Sequence, residues 1–190
     1  MDDSVRAAMA KWPDVPAVYG WLSLDVHGHW RLRGEPITHP GLVAFINRNY
    51  DCDHAGRWFF QNGPQRGYVH LEYTPWVLQV DTAGTLRRHT DDPVEDVRGA
   101  WLDEEGNLLL ETDAGIGVVA SDALPVISDW LVDAGGDPLA PERLEPGADA
   151  GGAAVAWGER RLPLAAIARA EVPDRFGFVP DPQPPGTGGR

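Results

Sequence analysis

A four-residue punctuation, Asp-x-x-Gly, recurs along the chain at "DVHG" (25–28), "DHAG" (53–56), "DTAG" (81–84) and "DEEG" (103–106). The aspartate opens a turn by bonding its side chain to the following backbone. The glycine accepts the left-handed conformation that closes it. Aromatic or β-branched residues flank each copy, so each reads as a tight hairpin loop with the glycine in a bulge. Strands are therefore expected over "GWLSL/HWRLRG", "GRWFFQN", "YVHLEY", "WVLQV/TLRRH" and "GAWL/NLLLET/GIGVVAS".

Two segments break this pattern. "THPGLVAFINRNY" places Thr38 and His39 before Pro40, then Leu42, Phe45, Ile46 and Asn49/Tyr50 at helical spacing. "PVISDWLVDAGG" has Gly135 as a C-terminal stop, an ambiguous start between strand and helix, and an extended lead-in at Pro125. Before them, "DSVRAAMAKW" is a short amphipathic stretch, and two prolines keep "PDVPAVYG" extended. "DAGGDPLAPERLEPGADAGG" (133–152) reads as a long loop, and "VPDPQPPGTGGR" as a disordered or surface-draped end.

Residues 53–75 lie over 103–125 without gaps. Asp53 meets Asp103, Gly56 meets Gly106, Gly67 meets Gly117, Val69 meets Val119, and Pro75 meets Pro125. Two unrelated hairpins would share turn chemistry. The gapless register and the shared acid-x-x-Pro (Glu72, Asp122) favour a structural repeat. The expected fold is α+β: two similar units, each a curved antiparallel β-sheet with one helix. The expected divisions are 1–84, 85–175 and a tail over 176–190, disordered or extended.

Length and composition narrow the function. A chain of 190 residues with 43% hydrophobic residues and eight Trp can bury a core in one domain or two small ones. Its net charge of −13 repels phosphate backbones, which argues against nucleic acid as a partner. Cys52 is the only cysteine, so no intramolecular disulfide forms. The first twenty residues lack an apolar signal region, and no apolar run reaches the length of a membrane span. These features predict a cytoplasmic protein with no membrane partner.

The stretches "WRLRGEPI" (30–37), "GLVAFI", Asp-x-x-Gly-Arg-Trp (53–58) and "YVHLEYTPWV" (68–77) resemble the first half of a bacterial domain-of-unknown-function family. "GIGVVASDALPVISDWL" and "GGAAVAWGERRLPLAAI" are similar to its second half, and "FINRNY" and "FQNGPQR" to a proteobacterial subgroup. The resemblance covers most of the chain. It implies a two-part α+β fold with repeated motifs and a role in signalling or small-ligand binding. It carries no catalytic residues across.

Few constellations carry chemistry. His27, His29, His39 and His54 with Asp25, Asp51, Asp53 and Cys52 include a His-x-His pair, but solvated turn histidines explain them better than a metal centre. Cys52 beside His54 or His70 sits on a turn, where nucleophile and base rarely align. No Gly-x-Ser-x-Gly elbow occurs, and "GIG" (115–117) lacks the context of a dinucleotide fingerprint. Glu72 and Asp122 could face each other as a carboxylate pair or hold structure. "RRLPLAAIARAEV" (160–172) reads as the last strand and edge of the second unit, or as a partner surface. No cofactor and no metal are expected.

The densest polar stretch remains. Arg48, Asn49 and Tyr50 end the first helix, and "QNGPQRG" (61–67) reads as a polar loop between apolar strands. It serves either as a rigid connection or as a ligand site. In the second reading Arg48 and Arg66 make an anion-accepting corner, Gln61, Asn62 and Gln65 add donors and acceptors, and Asn49, Tyr50 and Glu72 are further candidate ligand contacts. Some of Trp58, Phe59, Phe60 and Trp76 would then form an apolar wall. The leading functional reading is a non-enzymatic small-ligand or protein-interaction module, in signal transduction. The alternatives are a hydrolytic enzyme using Glu72 and Asp122, or an acidic structural adaptor. An exposed sheet edge would also suit a homodimer.

Overall fold

The computed structural model describes residues 1–13, 15–146 and 151–186. Asp14 of "PDVPAVYG", part of the 133–152 loop (147–150) and the last four residues of the tail lie outside the described residues. The chain forms two compact units. One comprises Met1–Pro75 with the segment from Gly177 onward, and the other Trp76–Phe176.

The first unit runs α1 (Asp3–Lys11), β1 (Val18–Leu24), β2 (Trp30–Leu32), β3 (Glu35–Pro36), α2 (Pro40–Arg48), β4 (Tyr50–Cys52), β5 (Trp58–Asn62) and β6 (Gln65–Leu71). Its six strands are ordered β3-β2-β1-β6-β5-β4. The second unit runs β7 (Trp76–Val80), β8 (Leu86–Arg88), β9 (Val97–Leu102), β10 (Leu108–Thr112), β11 (Gly115–Val119), α3 (Leu124–Ile127), β12 (Leu131–Val132), β13 (Ala154–Trp157), β14 (Arg160–Ala166) and α4 (Val172–Phe176). Its eight strands are ordered β12-β13-β14-β9-β10-β11-β7-β8.

The α+β class is as the sequence implies. The sheets are mixed rather than wholly antiparallel, because β1 runs parallel to β6, β7 to β11, and β14 to β9. Hairpin signals report only local pairing, whereas each parallel pair joins strands distant in sequence. The same fact places the division between the units at Pro75/Trp76 rather than at 84/85. β7 pairs with β11 and not with the strands before it, and the segment after Phe176 returns to the first unit. There the Val179 N–H bonds Gly56 O at 2.9 Å, and the Leu71 N–H bonds Pro180 O at 2.7 Å. The described part of the tail is therefore docked, with Phe178 and Pro182 buried.

The turns behave as their chemistry requires. Asp53 Oδ1 accepts the N–H groups of Ala55 and Arg57, and Asp103 Oδ1 accepts those of Glu105 and Asn107. Gly28, Gly56, Gly84 and Gly106 all have positive φ. A fifth copy occurs at Asp133–Gly136, where Asp133 Oδ1 accepts the N–H groups of Gly135, Gly136 and Asp137. Gly136, at φ +92°, closes this turn. Gly135 is therefore not a helix stop. α3 ends at Ile127, a 3-10 turn follows over Ser128–Trp130, and Pro125 lies in the first turn of α3, not in an extended lead-in.

The gapless shift of fifty is visible in the strands. β5 (58–62) maps onto β10 (108–112), and β6 onto β11 from its first residue. The first hairpins correspond as well, with β2 (30–32) over β8 (86–88) at a shift of fifty-six. The two shifts differ because α2 has no counterpart between β8 and β9. The segment 160–172 is not an edge. β14 lies between β13 and β9, and Pro163 stands where the ladder passes from one partner to the other.

Candidate functional site

α2 forms because its sequence supplies every signal. The His39 Nδ1 accepts the Leu42 N–H at 3.2 Å, Pro40 opens the first turn, and Asn49 closes the last. Its apolar side packs on the first sheet. Ile46 is buried, Phe45 meets Phe60 edge-on at 5.5 Å, and the Trp30 Nε1–H donates to Asn47 Oδ1 at 2.7 Å. Burial of such side chains stabilises by about 1.5–3 kcal/mol each.

The contact between α2 and the sheet is incomplete, and a groove of about 260 Å³ remains. Val18 and Leu22 of β1, Phe60 of β5 and Gly67 of β6 line its floor, Leu42 and Ile46 of α2 one wall, and Trp21, Leu32 and Ile37 its lip. Asn62 and Gln65 supply its polar end. Trp21, Leu32 and Leu42 are 48%, 46% and 39% exposed, half of the six large apolar side chains left exposed among the described residues. Gly67 opens the floor: a Cβ there would reach Val18 Cγ2 at 3.9 Å, ordinary contact distance, and so would occupy groove space without a clash.

The eight residues expected at a site do not converge. "QNGPQRG" is not a loop, since β5 extends to Asn62 and β6 begins at Gln65, joined by Gly63 at φ +56° and Pro64. Strand alternation then divides the set. Asn62 and Gln65 share the groove face with Phe60. Gln61 and Arg66 take the other face, where the Arg66 Nε donates to the buried Gln61 Oε1 at 3.3 Å and its guanidinium lies 3.7 Å over Phe59.

Arg48 and Arg66 therefore make no joint corner. The Arg48 Nε donates to Asp2 Oδ1 at 3.3 Å, so the anion it accepts comes from the protein's own N-terminal segment. Asn49 is fully buried; its Nδ2 donates to Phe45 O, and its Oδ1 accepts the Asp2 N–H at 2.8 Å. The hydrogen bond from Asn49 and the charge of Arg48 hold the Asp2 carboxyl below its usual range. Tyr50 is buried between Trp30 and Trp58 and donates its hydroxyl to Pro75 O; burial raises its pKa well above the ordinary value. Glu72 accepts the Val26 N–H at 3.3 Å, a turn contact. Of the expected aromatic wall, only Phe60 lines the groove; the Trp76 Nε1–H bonds Ala114 O in the second unit.

The other chemical candidates are also placed. Burial, then the carboxylates of Asp53 and Asp51, push the Cys52 thiol up to about 11, so it is protonated at neutral pH. Asp25 holds its own turn through the N–H groups of His27 and His29. Asp122 lies exposed on the turn before α3. Trp21, Leu32 and Leu42 leave no signal in the sequence, because single exposed apolar residues are ordinary there; only the fold brings them to one rim.

Three comparisons bear on this architecture. The sequence profile of the DUF2944 family, described as "Protein of unknown function (DUF2946)", matches residues 1–183. No curated protein matches the chain. Among solved structures, a DUF1285 family protein from Silicibacter pomeroyi DSS-3 is similar at TM-score 0.53 and 14% identity. The similarity covers 88% of this chain and 97% of that one, and at this identity it speaks to the fold alone. No described helix is long and apolar enough to cross a membrane.

Proposed function

The chain belongs to the DUF2944 family of unknown function, and we propose that its first unit is a non-enzymatic binding module for a small, largely apolar ligand. The ligand occupies the groove between α2 and the sheet, whose lining includes Asn62 and Gln65. One observation carries this reading: Trp21, Leu32 and Leu42 remain exposed around a single apolar cavity. Clustered apolar exposure costs hydration free energy that a bound partner recovers. The cavity lies just below the range of about 300–1,000 Å³ typical of drug-sized ligands, which favours something smaller. A part in signal transduction adds one requirement, that the free and occupied states differ at a surface another protein can read.

Hydrolysis by Glu72 and Asp122 draws no support, since Glu72 holds a turn through the Val26 N–H and Asp122 lies exposed on another turn. Thermal denaturation with 1-octanol as the probe tests the binding reading. A saturable rise in melting temperature is expected for the wild type, because a ligand stabilises the state it binds. Gly67→Val, which fills the floor, should fold and lose the rise. An equal rise in both proteins would place the binding elsewhere.

A further inference from the structure

The β2–β3 turn is closed by Arg33 and Gly34, both at positive φ (+52° and +85°). A two-residue turn of this kind is made most easily by Asn-Gly or Asp-Gly. An arginine in the left-handed region carries a steric cost that glycine or asparagine avoids. Its N–H bonds Trp21 O at 2.6 Å, and its guanidinium lies 3.9 Å over the Trp21 ring. Trp21 and Leu32 both belong to the groove's lip, so this cation stands beside the lip, held on Trp21 just outside the residues that line the groove. Arg31 and Arg48 nearby in sequence are paired with Asp25 and Asp2. Arg33 forms no ion pair with a described carboxylate, including exposed Glu35 two residues on.

We infer that the groove is selective for an amphipathic monocarboxylate: a short apolar tail among Leu22, Leu42, Ile46 and Phe60, and a carboxylate on Arg33. This rests on the binding reading above and adds the sign of the head group. The strained backbone supports it, because a positive φ retained by a side chain that the turn does not favour points to a role for that side chain. The chain's charge of −13 opposes anions at long range, so selectivity for one must come from this local cation.

Three probes with one tail separate the possibilities: octanoate, 1-octanol and octylammonium, each titrated calorimetrically at physiological ionic strength, where distant charges are screened over about 8 Å. The expected order is octanoate, then octanol, then octylammonium, with octanoate about three- to fivefold tighter than octanol, the range of an exposed ion pair. Arg33→Asn keeps the turn's conformation accessible and removes the charge. It should fold at least as well as the wild type and lose the preference for octanoate over octanol. Equal binding of octanoate and octanol by the wild type, or a preference that survives in Arg33→Asn, overturns the head-group inference and leaves the groove reading standing. Failure of all three probes to bind overturns both.

Discussion

Arg31 and Arg87 hold equivalent places in the two units. Each donates its Nε to the second oxygen of the turn aspartate six residues earlier, Arg31 to Asp25 at 3.2 Å and Arg87 to Asp81 at 2.6 Å. Arg57 repeats the device one turn later in the first unit, on Asp53 at 2.9 Å; Asn107 takes that place on Asp103 in the second, at 2.8 Å. The aspartates thus clamp both the backbone of the turn and the start of the returning strand.

The clamp is worth most where water is absent. Asp103 is fully buried and accepts three hydrogen bonds within its turn. Asp103→Ala should cost about 2–3 kcal/mol, the loss of bonds to a charged acceptor, measured by urea denaturation. Asp81→Ala, in a more exposed turn, should cost clearly less. Equal losses would remove the case for burial as the cause.

The docked C-terminal segment should depend on Gly56. A Cβ at Gly56 would stand 2.3 Å from Gly177 O, and φ is +75°. Gly84 has a similar φ of +81° but nothing within 4 Å. Gly84→Ala should lose about 1–2 kcal/mol of stability, from the backbone term alone. Gly56→Ala should lose more and should speed hydrogen exchange at Leu71 and Val179, whose N–H groups hold the segment. Unchanged exchange at those two amides would contradict the packing described.

Stability should fall with acid before the carboxylates titrate. Burial, and then Arg88, depress the His89 pKa to about 3, while the Val77 N–H bonds its Nδ1 in the neutral form. Unfolding lets this imidazole take up a proton at an ordinary pKa near 6.5. The unfolded state therefore binds more protons between about pH 6.5 and 3, and stability declines as pH falls through that window, by up to about 1.4 kcal/mol per pH unit. Asp53, held at about 2, adds its own loss only below the ordinary carboxylate range. Denaturation midpoints between pH 6 and 4.5 should slope in the wild type and flatten in His89→Gln. A slope that persists in the variant would assign it to other groups.

Cys52 should be a slow thiol. With its pKa near 11, its thiolate fraction at pH 8 is about a hundredfold below that of a free cysteine. Alkylation by iodoacetamide should slow by a similar factor in the native protein and recover in urea. A native rate equal to that of free cysteine would show that burial does not protect it.

Much of the fold was legible because its determinants are local. Four Asp-x-x-Gly turns, the strands around them, α2 and the register of fifty all follow from turn chemistry and periodicity. The fifth turn is hidden because "DAGG" looks like a helix end, and β13 because "AVAW" is lost among alanines and glycines. Parallel pairings such as β1 with β6 leave no local signature. The candidate groove is hardly legible in sequence. Asn62 and Gln65 share its face, whereas Gln61 and Arg66 beside them face the other way, and that depends on where β5 ends. The rim of Trp21, Leu32 and Leu42 exists only once α2 lies on the sheet.

Binding in the groove is tested most directly by titrating the isotopically labelled protein with 1-octanol and following backbone amide resonances. The expected result is a saturable set of shifts at Leu22, Leu42, Phe60 and Gly67. Leu108, Ile127 and Leu131, which line a second apolar cavity within the second unit, should stay unmoved. Shifts confined to that second cavity, or no saturable shifts at all, would contradict the assignment of the first unit as the binding module.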